Sequence, residues 1–166
     1  MRKFSILWAS LILVMLGGCS AKHYSISEPK MIVLKTKKIK FADMGYLRHE
    51  GDAVEVEIFT AGVAVEKISI DAEVCTGSGC MSEEAFAREY LYEGYPADTM
   101  RNILLGRDIF NGQGKSEICN GTLYQYIRNE EMDFVYRRKP SEIYFRDYLN
   151  GIMIKIADVK ENNATE

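Results

Sequence analysis

The chain predicts an α+β fold: a strongly curved antiparallel sheet of about eight to nine strands whose concave face is covered by two short helices. Three observations carry this expectation. Apolar residues recur at every second position through most of the chain, turn residues interrupt those runs at short intervals, and one stretch between Ser82 and Gly106 changes to helical spacing. A twisted sheet of that many strands curls, and its apolar concave face needs a cover.

The first strand group begins near Met31. Ile39 and Phe41 alternate with lysines, and Val54, Val56 and Ile58 alternate with Glu55 and Glu57. Val63 and Val65 precede Ile68 and Ile70 with a change of phase at Glu66-Lys67, where a β-bulge is expected to keep both halves on the core side. Met44-Gly45, Glu50-Gly51-Asp52 and Ala61-Gly62 mark turns. Ser82 caps a helix with Glu83 and Glu84 in its first turn, as the helix dipole favours, and with Phe86 and Tyr90 on one face. Pro96 opens a second helix bearing Met100, Ile103 and Leu104, which Gly106 stops. Five further strands are expected at 117–119, 123–127, 132–138, 142–146 and 151–157, with Asn120-Gly121 as the strongest hairpin signal between them.

The N-terminus reads as a targeting segment. Arg2 and Lys3, the apolar run from Phe4 to Leu16 and the small residues before Cys19 follow the order of a secretory signal, and the run is too short to span a bilayer comfortably. Leu16-Gly17-Gly18-Cys19 resembles the bacterial lipobox, which implies cleavage before Cys19 and acylation of its thiol and new amino terminus. Two or three acyl chains would hold the protein at a membrane almost permanently, each buried methylene contributing about 0.8 kcal/mol. Ser20 stands where an aspartate would favour inner-membrane retention, so the resemblance implies an outer-membrane anchor facing the periplasm. The expected organisation is therefore a signal at 1–18, a lipidated tether at 19–30, one β-rich domain at 31–159 and a polar tail at 160–166.

Composition narrows the function classes. The whole chain carries a formal charge of -3, and loss of Arg2 and Lys3 makes it more acidic, which disfavours nucleic acid as a partner. Lys30, Lys35, Lys37, Lys38 and Lys40 form its one basic concentration, suited either to anionic headgroups or to a solvated strand face. Cys75 and Cys80 enclose Thr-Gly-Ser-Gly and read as a local disulfide in an oxidising compartment, leaving Cys119 without an assigned partner. His23 lies in the tether and His49 beside a turn, neither with a recognisable nucleophile or metal partner. No catalytic constellation, metal site or cofactor motif is expected, and a binding protein fits better than an enzyme. Helices of roughly ten residues span about 15 Å and cover only part of a concave sheet. The alternatives are tight closure or an apolar hollow fit for a lipid chain, lined in part by adaptable methionines such as Met100.

The order of lipobox, meander, two short helices and second meander, with Tyr95-Pro96, Ile103-Leu104-Leu105-Gly106-Arg107 and Asn120-Gly121 before Tyr124-Gln125, resembles the LolA/LolB family of lipoprotein-localisation proteins. The resemblance implies an open half-barrel lidded by helices. Its concavity would accept acyl chains of lipoproteins, delivered by a periplasmic LolA-like carrier, as a LolB-like acceptor in the outer membrane does. On that reading Phe41, Val56, Ile58, Met100, Ile103, Leu104 and Phe110 are the expected lining. The chain departs from the family in its turn Phe59-Thr60-Ala61-Gly62, where the receptor carries a protruding leucine, and in its Cys75 and Cys80. The alternative is a structural lipoprotein that docks on an envelope partner through a sheet edge. Metabolic labelling with a fatty-acid analogue should mark the wild-type chain and leave a Cys19→Ala variant unmarked; equal absence of label from both would remove the lipobox reading.

Overall fold

Two antiparallel meanders are joined through the first and last strands of the chain. The computed structural model describes residues 24–118 and 121–159, so Cys19, His23, Cys119 and the polar tail lie outside the described residues. The first meander comprises β1 (Ile26–Lys35), β2 (Lys40–Glu50), β3 (Ala53–Thr60), β4 (Val63–Ile70), β5 (Val74–Thr76) and β6 (Gly79–Met81). The helices α1 (Glu83–Tyr90) and α2 (Thr99–Leu104) and a 3-10 turn at Phe110–Gly112 follow. The second meander comprises β7 (Lys115–Ile118), β8 (Thr122–Arg128), β9 (Asp133–Lys139), β10 (Glu142–Asp147) and β11 (Ile152–Asp158).

All eleven strands form one sheet in the order β6-β5-β4-β3-β2-β1-β11-β10-β9-β8-β7, which is not closed. Its edges are the strands on either side of the helices in sequence. The helical segment therefore leaves one edge, crosses the concave face and rejoins the sheet at the other. Inward side chains run in register across the sheet: Leu34 faces Ile154, Ile154 faces Phe145, Phe145 faces Tyr136 and Tyr136 faces Gln125. Phe86, Tyr90, Leu91, Met100, Ile103 and Leu104 from the helical segment join them in one buried cluster.

The helices form where capping and spacing indicate. Ser82 Oγ accepts from the Ala85 amide at 3.3 Å, and Phe86 and Tyr90 stack with ring centroids 4.5 Å apart. α1 and α2 contain eight and six residues, fewer than expected, because α1 already ends at Tyr90 and Pro96 does not open α2 as expected: Pro96 lies in the turn before it, its carbonyl accepting from the Thr99 amide at 3.1 Å, and Asp98 is the N-cap residue. Eleven strands replace the expected eight or nine because β5 and β6, three residues each, are too short to show a period of two. They form the hairpin that the Cys75–Cys80 disulfide bridges. β1 starts at Ile26, so the expected tether at 19–30 overlaps the sheet: Ile26 to Pro29 pair with residues 46–49 despite their polar pattern. The bulge falls one residue early. Ile58 faces Glu66 and Phe59 faces Ala64, leaving Val65 as the extra residue. Val63 and Val65 do not turn inward as expected but are exposed, because this hairpin tip lies past the covered part of the sheet.

One buried polar cluster fixes the crossing segment to the second meander. The Asp147 carboxylate accepts from the Leu149 amide at 2.9 Å, the Asn150 amide at 3.1 Å, Asn150 Nδ2 at 2.8 Å and the Tyr95 hydroxyl. Burial by itself would raise its pKa, yet the hydrogen bonds from Asn150, Tyr95 and the backbone outweigh burial and hold the carboxyl below its ordinary value. Because the folded-state pKa is the depressed one, this contribution is present above the unfolded carboxyl value and is lost as pH falls through the folded value. Asp147→Asn should lower unfolding free energy by about 2 kcal/mol at neutral pH. In a pH series of denaturant melts, the wild type should lose this increment below about pH 4 while the variant does not.

Candidate functional site

The residues expected to line a hollow are mostly filling instead. Val56 and Ile58 on β3, and Met100, Ile103 and Leu104 on α2, are buried in the central cluster; Phe41 and Phe110 are half-buried against it. The space beneath the helices is occupied by rings. Tyr95 meets Phe110 and Phe145 edge-on at centroid distances of 5.3 and 6.0 Å, and Phe134 lies 4.9 Å from Phe110 and 5.4 Å from Phe145. The methionines do not make a lining either: Met31 and Met44 face each other across β1 and β2 on the outward face and are exposed.

Open space lies at one end of the concave face, where α2 stops short. A groove of about 300 Å³ runs there, with Leu47, Leu104 and Ile156 as a buried floor and Leu105 and Ile143 as half-buried walls. It follows the last inward rows of the sheet, in which Ile32 faces Ile156, Ile156 faces Ile143 and Ile143 faces Arg138. Of the residues expected to contact a ligand, Leu104 alone borders it. Leu47, Ile143 and Ile156 are the members that sequence reasoning missed. Their signal was present as apolar alternation at strand ends, but which ends α2 leaves uncovered depends on where that helix terminates.

Gly106 sets that terminus. Its φ of +64° lies in the left-handed region, and the Arg107 amide returns to the Asn102 carbonyl at 2.8 Å. A Cβ here would also sit 3.1 Å from Arg138 Cδ and 3.4 Å from Ile143 Cδ1, so a side chain would crowd the groove wall.

Three arginines hold the helix end down. Arg138 Nη1 donates to the Gly106 carbonyl at 3.1 Å, and Arg107 donates to Asp52 Oδ1 at 2.6 Å and to the Gly51 carbonyl at 3.0 Å. Arg101 donates to the Asp52 carbonyl at 2.9 Å, to the Asp71 carbonyl at 2.5 Å and to the Glu83 carboxylate, joining α1, α2 and two strand turns. Only a planar guanidinium has the donors to serve these acceptors together.

The rim is charged, and its cations Lys30, Arg138 and Lys139 stand against the carboxylates Glu28, Glu142 and Asp158. Lys30 Nζ lies 2.6 Å from both Glu28 and Asp158. Burial would lower its pKa, but hydrogen bonds to Asp158 and Glu28 prevail and hold the ammonium above its ordinary value. His49, Arg138, Lys139 and Glu142 complete the rim. Among the described residues no three His, Cys, Asp or Glu side chains come together as a metal site. An apolar floor with a polar rim of balanced charge can hold a hydrocarbon chain whose polar head stays in water.

A second hollow, of about 360 Å³, lies on the outward face between β2 and the β3–β4 hairpin, lined by Pro29, Met44, Tyr46 and Phe59. No helix of the described residues is long and apolar enough to cross a membrane. Comparison of the chain with protein-family models, curated proteins and solved structures finds no match.

Arg101→Ala should lower unfolding free energy by about 3 kcal/mol, the worth of one or two charge-assisted hydrogen bonds. Arg101→Lys should recover less than half of that, because one ammonium cannot span the same acceptors. Denaturant melts measure both, and hydrogen exchange should show amides 103–107 less protected in each variant.

Proposed function

We propose that this protein is an outer-membrane-anchored lipoprotein that receives acyl chains in the groove beneath the end of α2, as a LolB-like acceptor in lipoprotein localisation, with a LolA-like carrier as the donor. The observation that carries this reading is the open apolar floor of Leu47, Leu104 and Ile156 at the end of an otherwise filled concave face. Its volume stands at the lower bound for ligand sites, about 300 Å³. The groove therefore takes the leading part of a chain, and deeper entry requires the α2 end to lift from its arginine contacts. Each methylene buried contributes about 0.8 kcal/mol, so even a partial chain supplies useful affinity. No chemical step is involved: the ligand is bound and passed on.

The outward face supports a second reading, a structural lipoprotein acting through protein contacts. Met31, Met44, Tyr46 and Val63 are exposed beside the second hollow and offer an apolar surface that a partner could cover. The sheet edges suit this role less well, since β6 and β7 are only three and four residues long.

Ile143→Glu places a carboxylate on a half-buried wall of the groove that can still reach water, so the fold should persist. Binding of a fluorescent fatty-acid probe to residues 20–166 should weaken by about tenfold or more, a loss of at least 1.4 kcal/mol. Met44→Glu should leave that binding unchanged. Unaltered probe affinity in a folded Ile143→Glu variant would count against the groove, and loss of a stoichiometric protein partner in Met44→Glu alone would favour the second reading.

A further inference from the structure

On its outward face the second meander is built largely from basic and aromatic residues. Inward positions on its strands hold Tyr136, Phe145 and Ile154, so the same period of two that builds the core sets out this face. Strand register arranges it in rows that cross the strands. One row runs Lys155, Tyr144, Arg137 and Tyr124 from β11 to β8. The next runs from Lys40 on β2 through Lys35, Met153, Arg146 and Val135 to Tyr126 on β8. Neighbouring strands stand about 4.8 Å apart, so the longer row extends over about 24 Å.

Positive charge dominates these two rows, neither of which contains a carboxylate. Glu142, in the adjacent row opposite Lys139, lies 3.0 Å from Arg137 and 3.1 Å from Lys155, one carboxylate between two cations. Beyond the other row Asp133 stands 3.7 Å from Arg128, with Glu130 and Glu131 in the β8–β9 turn beside it. Farther off, Arg48 and Lys67 hold Glu55 and Glu57, and Lys30 holds Glu28 and Asp158. Among the described residues Lys35, Lys40 and Arg146 have no ion-pair partner. Aromatic rings stand beside the cations. Arg137 lies over the Tyr144 ring at 5.3 Å and Arg146 over the Tyr148 ring at 5.5 Å, while Tyr126 and Tyr148 are exposed.

We propose that this face binds a polysaccharide whose sugars carry carboxylates. An acidic pyranose offers its C–H face to a tyrosine ring and its carboxylate to a guanidinium, which takes it through two parallel hydrogen bonds. The alternation of Lys155, Tyr144, Arg137 and Tyr124 at strand spacing repeats at about the interval of sugars in an extended glycan. Charge complementarity selects an acidic polymer, and the placement of charge selects a glycan over a protein. Protein interfaces are depleted of charged residues at their centre, whereas here Arg137 and Arg146 stand in the middle of the face. Where the longer row ends, an open hollow of about 300 Å³ bordered by Lys35 and Lys40 gives the polymer a seat. The face lies across the sheet from the groove and is independent of the acyl-acceptor reading.

Affinity for immobilised polygalacturonate, measured with the full-length protein in detergent, tests it. The protein should be retained there and not on neutral dextran. Arg146→Glu should weaken retention by about tenfold or more, the worth of one charge-assisted hydrogen bond, and Tyr126→Ala by several-fold. Arg88→Glu, an equal change of charge at an exposed position on α1 across the sheet, should leave it unaltered. Unchanged thermal melts establish that each variant is folded. Absence of retention, or retention indifferent to both Arg146→Glu and Tyr126→Ala, overturns the proposal. Release by polyglutamate, oligothymidylate or phosphatidylglycerol micelles at concentrations equal to or below those of soluble polygalacturonate also overturns it, and assigns the face to a protein, a nucleic acid or a bilayer instead.

Discussion

The pairing of β1 with β11 is the constraint on which the rest of the structure depends. Joining the first strand to the last places both meanders in one sheet and sends their free ends, β6 and β7, to opposite edges. The chain between them has no route except across the concave face. Helix placement is thus a consequence of strand order, and the core is whatever the crossing segment and the inward rows of the sheet enclose together. The Asp147 cluster with Tyr95 and the Arg101 contacts pin this segment near each end of the sheet.

The same constraint explains why space remains at one end alone. Helices of eight and six residues cover about 12 and 9 Å of axis, much less than the long strands of the sheet. Tyr95, Phe110, Phe134 and Phe145 make up the difference in the middle and toward the far end, where bulky rings substitute for missing helix. Past Gly106 nothing comparable follows, and Leu47, Ile143 and Ile156 border the open groove. A cavity here is a matter of helix length rather than of specially chosen lining residues.

Most of the architecture was legible because it is written in local periodicity. The alternation of Val54, Val56 and Ile58, the Ser82 cap and the Gly106 stop each act within a few residues, so those elements stand where their signals do; Met44-Gly45, expected as a turn, instead lies inside β2, where a Cβ on Gly45 would meet the Glu57 carbonyl oxygen at 2.6 Å and Ile32 Cδ1 at 2.7 Å. Strands too short to alternate, such as Val74–Thr76, left no such trace, and the polar start of β1 pairs because β2 offers it backbone partners. The site was less legible for a different reason. Met100, Ile103 and Leu104 were correctly placed on an inward helix face, but whether such a face meets a void or a phenyl ring depends on residues far away in sequence. The contacts of Arg101, Arg107 and Arg138 had no pattern to mark them, since their acceptors are backbone carbonyls and the carboxylates of Glu83 and Asp52, brought near only by the finished fold.

The Cys75–Cys80 hairpin has a consequence for how these molecules coexist. An open sheet always leaves two borders of unpaired amides and carbonyls, and a long flat border recruits strands from neighbouring copies. Here one border is a three-residue strand locked to its partner by a covalent bridge, and the other is four residues long. Neither offers enough ladder to template growth. Copies crowded together can therefore keep their curved, open form without polymerising edge to edge.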